Sequence, residues 1–146
     1  VRLDVYFNFI LLTTIIFFKM GNRKEKTILI VDDEPNIVVA LEFLMEKEGY
    51  KIRKCYDGQS ALASISEVVP DLILLDVMMP GMDGFEVARK IRENQDWEDL
   101  KIIFLTAKGT REDKMKGYAN GGEIYLTKPF DNDNLVTAVN EAIEFG

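Results

Sequence analysis

An α/β domain with five parallel strands and helices on both faces of the sheet is the fold that this sequence predicts. Three observations lead to it. Five short apolar runs rich in β-branched residues each give way to a segment with helical spacing. No Pro/Ser/Gly-rich linker interrupts that alternation, and no other repeat is present. At 146 residues, with 47% hydrophobic and 10% aromatic residues and four prolines, the chain has room for one ordinary core and none for a second domain of comparable size.

Residues 1–26 stand apart from the alternation. From Val5 to Phe18 no residue is charged, but this run is shorter than the roughly 20 apolar residues of a spanning helix. As a secretory signal it lacks a basic start, since Asp4 offsets Arg2, and no small-residue cleavage site follows. Its Phe, Ile and Thr suit an extended conformation about as well as a helix. The chain begins with Val, and Met20-Gly21-Asn22-Arg23-Lys24 resembles a polar lead-in, so residues 1–26 read as an extension outside the core. The functional alternative is a peripheral anchor, its apolar run in a lipid interface and its basic residues 19–26 on anionic headgroups. Membrane contact is not the expectation.

The first unit is a strand over Thr27–Val31, stopping at Asp32-Asp33-Glu34-Pro35, then a helix over 36–48 with Ile37, Ala40, Leu41, Leu44 and Met45 on one stripe. Gly49 is a suitable residue just past its end. Strand 51–55 and helix 59–68 follow, then strand 71–75 and helix 84–93. Strand 101–105 and helix 111–119 come next, and strand 124–126 and helix 131–144 close the series. Continuous apolar strands alternating with helices specify a parallel sheet with right-handed crossovers. The expected fold class is therefore an open, doubly wound, five-stranded parallel sheet of flavodoxin-like type, strand order 2-1-3-4-5.

Composition excludes several chemistries. With no histidine, a histidine phosphocarrier, a Ser-His or Cys-His hydrolase and an imidazole zinc site are ruled out. The single cysteine, Cys55, cannot form an internal disulfide; it reads as a small buried hydrophobe in a protein of a reducing, cytoplasmic compartment. The net charge of −7 divides into +3 over residues 1–26 and −10 over 27–146. So acidic a body repels phosphate backbones, and no direct nucleic-acid binding is expected.

In open parallel sheets, sites form beyond the carboxyl ends of the strands. Those ends deliver Asp32 and Asp33, Asp76, Thr106, and Lys128 before Pro129. Three carboxylates crowded together disfavour one another's ionisation, and a hard divalent cation such as Mg2+ relieves the conflict. A carboxylate is also a competent nucleophile toward phosphorus, giving an acyl phosphate. Asp76 is placed for that attack, the Asp32/Asp33 pair for the metal, and Lys128 for the charge on the transferring group. Thr106 can donate its hydroxyl to a phosphoryl oxygen. The turn Met79-Pro80-Gly81-Met82-Asp83-Gly84 is tight enough to bring a carbonyl near Met78 to the same ion.

The segments ILIVDDEP, DLILLDVMMPGMDGFE, FLTAK and YLTKPF, in that order and at those separations, resemble the receiver domain of two-component response regulators over residues 27–146. Four such pieces in register are highly specific. The resemblance implies a phosphorylation-activated module that accepts a phosphoryl group on Asp76 from a histidine kinase or a histidine phosphotransfer protein, with Mg2+, and then switches the face that binds a downstream protein target. It implies that Asp33 and Asp76 ligate the metal through side chains, Met78 through its carbonyl and Asp32 through water. Lys128 would pair with the phosphoryl group, and Thr106 and Tyr125 would form the switch, the Tyr125 ring swinging from exposed to buried. A chain that stops after the fifth helix resembles stand-alone, chemotaxis-type regulators, and a phosphorylation-dependent dimer is compatible with the family. Such a module is not a conventional enzyme, although it catalyses its own phosphorylation and dephosphorylation. Gly122, Ile124 and Val77 depart from the family pattern, in which a small side chain, an acid and often an aromatic stand at those places.

Blander roles compete at each position. Asp32 and Asp33 could cap the first helix, Asp76 a strand end, and Tyr125 could be plain core. Met78, Met79 and Met82 read as packing or loop residues, and Lys108 and Arg111 as either a solvated helix start or groups that tune access to the phosphoryl group. The rival function is an aspartyl-nucleophile phosphatase of haloacid-dehalogenase-like type. Those enzymes place a second acid two residues after the nucleophile, where this chain has Met78. A flavin carrier of the same topology needs a first loop that cradles phosphate, and Asp32-Asp33-Glu34 would repel it.

Overall fold

The structure, a computed structural model, describes residues 2–145. Val1 and Gly146, the outer limits of the two predicted segments, lie outside the described residues, as do the side chains of Met20, Asn22 and Lys24. After an N-terminal helix α1 (Arg2–Lys24) the chain alternates as β1 (Thr27–Val31), α2 (Pro35–Lys47), β2 (Lys51–Cys55), α3 (Gly58–Glu67), β3 (Leu72–Leu75), α4 (Gly84–Glu93), β4 (Lys101–Thr106), α5 (Arg111–Ala119), β5 (Ile124–Thr127) and α6 (Asn132–Phe145). A 3-10 turn, Gln95–Trp97, precedes β4 and carries the single tryptophan. The strands form one parallel sheet in the order β2-β1-β3-β4-β5, as the sequence predicts.

The sheet is buried on both faces, and the period-2 alternation along each strand divides the core. Leu29, Val31, Ile73, Leu75, Ile102 and Phe104 meet α3 and α4 on one side. Ile28, Ile30, Leu72, Leu74, Ile103 and Leu105 meet α2 and α6 on the other. Each fully buried Leu, Ile or Phe contributes roughly 1.5–3 kcal/mol to folding. Helix starts follow local chemistry. Pro35 opens α2, the Asp57 and Asp83 carboxylates accept from the Ser60 and Glu86 amides at α3 and α4, and Thr110 and Asp113 form a capping box at α5. Gly49 takes φ 98° just beyond α2, a left-handed conformation that favours glycine.

The segment that suited strand and helix equally is a helix. With no strand beside it the segment has no sheet ladder to join, and a run without Gly or Pro from Arg2 to Lys19 lets its backbone groups bond within a helix. Its apolar side chains remain exposed, Phe17 at 82% and Leu12 at 58%. Among the described residues, the ion pairs that tie it to the body come from its C-terminal end. Arg23 bridges Glu48 at 3.2 Å and Glu144 at 3.0 Å, and Lys19 reaches Glu144 at 3.5 Å. Among the described residues, no helix is long and apolar enough to cross a membrane.

Candidate functional site

Register brings the predicted residues together. Val31 pairs with Cys55 and Leu75, Leu75 with Phe104, and Thr106 with Thr127, so β1, β3, β4 and β5 end at a similar level. Asp32, Asp76 and Lys128 are each the first residue past a strand, and Thr106 is the last residue of β4. The backbone holds them there. The Asp76 amide donates to the Val31 carbonyl at 2.9 Å, and the Lys128 amide to the Thr106 carbonyl at 2.8 Å. Asp32, Asp76 and Thr106 are the buried polar side chains of the core, at 2%, 4% and 0% exposure.

Lys128 lies among the acids. Its Nζ is 2.6 Å from Asp32 Oδ2, 3.7 Å from Asp76 Oδ2 and 3.9 Å from Glu34 Oε1. Oxygens of Asp32, Asp33, Glu34 and Asp76 all lie within 4.8 Å of one another. Four carboxylates around one ammonium leave an excess of negative charge. Burial, then the Asp32 charge, pushes the Asp76 carboxyl above the usual carboxylate range, although Lys128, the Thr106 hydroxyl and the Met78 amide all favour its ionised form. Burial alone would lower the Lys128 ammonium, but the Asp32 hydrogen bond with the charges of Asp76, Asp32 and Glu34 raises it.

Smaller contacts set the orientations. Asp32 Oδ1 accepts from the Glu34 amide at 2.9 Å, Asp76 Oδ1 from the Met78 amide at 3.3 Å, and Thr106 Oγ1 from the Lys108 amide at 3.3 Å. Beside the acids a cleft of about 450 Å3 is lined by Asp33, Met78, Asp83 and Lys108. Asp33 is half-buried at that opening, and the Met78 side chain is 54% exposed. Met79 packs in the core and Met82 against it, whereas Arg111, at the exposed start of α5, does not line the cleft. Cys55 is buried, and desolvation raises its thiol.

Two features differ from the sequence reading. Glu34, which the sequence reading places only in a repulsive loop, joins the acidic group. The signal lies in the unbroken run Asp32-Asp33-Glu34 before Pro35, and at the helix N-cap Glu34 makes no side-chain capping bond, which leaves its carboxylate to face Lys128. Asp32 does serve the turn, through the Glu34 amide, but keeps its second oxygen for Lys128. The Tyr125 ring is not exposed. It is 6% exposed, its hydroxyl donates to the Lys108 carbonyl at 2.6 Å, and it lies 5.6 Å from the Phe104 ring centroid. Burial, followed by the Asp113 and Asp76 charges, pushes its phenol up to about 12.

Hard oxygen donors, two of them buried, with one ammonium to offset four carboxylates, fit a small divalent cation of the Mg2+ kind. The family model described as the response regulator receiver domain matches residues 28–140. Among solved structures, a response-regulator-like protein from Chloroflexus aurantiacus is 35% identical with a TM-score of 0.78, the match covering 81% of this chain and 97% of that one. The chemotaxis protein CheY4 of Vibrio cholerae is 31% identical with a TM-score of 0.76, covering 80% and 98%. The receiver domain of the Francisella response regulator 1452 is 32% identical with a TM-score of 0.77, covering 82% and 98%.

Proposed function

The chain belongs to the family of response regulator receiver domains, signalling modules of two-component systems rather than conventional enzymes, and from that premise we propose that Asp76 is its phosphoacceptor. The observation that carries this reading is the meeting of buried Asp32 and Asp76 around Lys128 with Thr106 alongside. An Asp76 oxygen attacks the phosphorus of a phosphohistidine on a histidine kinase or phosphotransfer protein. The O–P bond forms, the P–N bond breaks, and its electron pair returns to the donor imidazole. Lys128 balances the charge on the transferring oxygens, and the Thr106 hydroxyl donates to one of them.

Asp32, Asp33 and Asp76, with the Met78 carbonyl, are the groups that would hold Mg2+, and Glu34 stands close enough to contribute. When bound, the ion supplies charge neutralisation between the carboxylates and the incoming phosphate. Residues 27–146 form the proposed receiver unit, and residues 1–26 an appendage. The downstream target meets the surface of α5, β5 and α6, where Tyr125 sits. The phosphatase reading is disfavoured because the residue two past Asp76 is Met78, whose thioether cannot act as a general acid. The test is acid-labile labelling from acetyl phosphate with Mg2+. Wild type is expected to label, and Asp76→Asn to lose labelling altogether, because the amide is not a nucleophile. Labelling that persists in Asp76→Asn would remove the assignment.

A further inference from the structure

The geometry points to Gly117 and Gly122 as positioning residues that seat the Tyr125 ring inward and so fix the β4–α5 loop that follows Thr106. The inference rests on the proposed phosphoacceptor role of Asp76 and deepens it. It begins with an oddity of composition. Gly117 lies inside α5, where glycine is a poor helix former, yet it is the buried residue of that nine-residue helix. A Cβ at Gly117 would run into the Tyr125 ring, meeting Cδ2 and lying 2.8 Å from Cε2. A Cβ at Gly122 would lie 2.6 Å from Phe104 Cε2 and 2.7 Å from Cδ2. The two glycines are clamped to each other, since the Gly122 amide donates to the Gly117 carbonyl at 3.0 Å.

Together they leave a slot two rings deep. Phe104 stands 5.5 Å from Phe85 in an edge-on arrangement and 5.6 Å from Tyr125, and the Lys116 ammonium lies 4.9 Å over the Phe85 ring. The departure at Gly122, where family members carry a small side chain, thereby has a physical reason: the Phe104 ring occupies the space of that side chain.

The seat connects to the site through one residue. With the ring inward, the Tyr125 hydroxyl donates to the Lys108 carbonyl, which fixes the start of the β4–α5 loop. The Lys108 amide in turn donates to Thr106 Oγ1. With its oxygen accepting from Lys108, the Thr106 hydroxyl keeps its proton available to donate to a phosphoryl oxygen. Filling the slot at position 117 expels the ring, breaks the hydroxyl contact and loosens the loop that aims Thr106. A phosphoryl group on Asp76 needs that donor, so a ring held inward in advance raises the affinity of the site for phosphate-like ligands.

The experiment uses the full chain with Gly117→Ala, Tyr125→Ala, Tyr125→Phe and the Gly117→Ala/Tyr125→Ala double variant. Readouts are the aromatic and amide NMR signals of residues 106–108 and 125, beryllofluoride affinity with Mg2+, and urea midpoints. In Gly117→Ala the Tyr125 ring signals should move to exposed values, the Lys108 amide should shift, and beryllofluoride affinity should fall on the order of tenfold, in proportion to the lost inward population. Tyr125→Phe should keep the ring contacts and shift only the Lys108 end. Ala at position 117 should lower the urea midpoint when Tyr125 is present and raise it in the Tyr125→Ala background, where the Tyr125 clash is gone, the Phe104 ring 3.2 Å away can shift into the vacated space, and the helix preference remains. If Gly117→Ala does not fold, folding of the double variant makes the same point.

Unchanged Tyr125 signals in Gly117→Ala, or equal loss of midpoint in both backgrounds, would overturn the seat. The ring signals and the midpoints are measured without any phosphate analogue. A wild type that neither labels nor binds beryllofluoride would therefore defeat the phosphoacceptor reading while these measurements still decide the seat.

Discussion

Asp76 is costly to the fold in the state that its proposed chemistry requires. Its burial and the neighbouring Asp32 raise its pKa above that of the unfolded chain, so the folded protein holds the proton more tightly than the unfolded chain does. The sign follows: with the folded value above the unfolded one, the stabilising contribution is full below the unfolded pKa and is lost as pH rises through the folded pKa. At pH 7 the charged form therefore strains the site, and Asp76→Asn should raise the urea midpoint even as it abolishes labelling. The advantage of the variant should shrink as the pH falls through the raised pKa of Asp76, where the wild-type carboxylate takes up its proton. A variant less stable than wild type at pH 7 would contradict this account. Lys128 opposes the strain from a side chain only 13% exposed, which makes it the natural counter-ion of the whole acidic group.

The elements differ in how firmly they are fixed. α4 buries the side chains of Phe85, Val87, Ala88 and Ile91, whereas the buried residue of α5 is Gly117, which has none. The end of α4 is stapled by Arg92, whose guanidinium donates to the carbonyls of Leu100 at 2.7 Å and Gly121 at 2.9 Å and to Glu123 Oε1 at 2.9 Å. Glu123 in turn accepts from the Ile102 amide at 2.5 Å, so one side chain pair joins α4, β4 and the turn before β5. Arg92→Ala removes several charge-assisted bonds and should cost about 1–3 kcal/mol in denaturant unfolding, while labelling at Asp76 stays at the wild-type rate. A large fall in labelling with intact stability would show that the staple serves the site and not the frame.

Across the whole molecule, the charge and the chemistry sit apart from α1. The acidic group, Lys128 and Thr106 all lie on elements after Thr27, and α1 touches the body through the Arg23 and Lys19 ion pairs near its end. Removing residues 1–20 retains Arg23 and its bridges to Glu48 and Glu144. Labelling and Mg2+ affinity are expected to be unchanged, and the urea midpoint to move by no more than about 1 kcal/mol equivalent, as befits exposed ion pairs. Vesicle association by the full chain that the shortened chain lacks would instead assign α1 to a lipid surface.

The order β2-β1-β3-β4-β5 was legible because apolar runs, turn residues and helical spacing are local properties, and parallel crossovers admit few topologies. The convergence of Asp32, Asp33, Asp76, Thr106 and Lys128 followed from the same logic, since strand ends in such a sheet face one crevice. Neighbouring residues in the chain could not reveal what depends on packing between distant ones. The conformation of residues 2–24 rested on equal propensities. The carboxylate of Glu34 faces Lys128 because it is not engaged in capping α2, and Tyr125 lies inward where Gly117 and Gly122 make room for two rings. Composition and periodicity determine which faces are buried, but the space beside a particular ring exists only once β4, β5 and α5 have met, and that was decided by the tertiary structure.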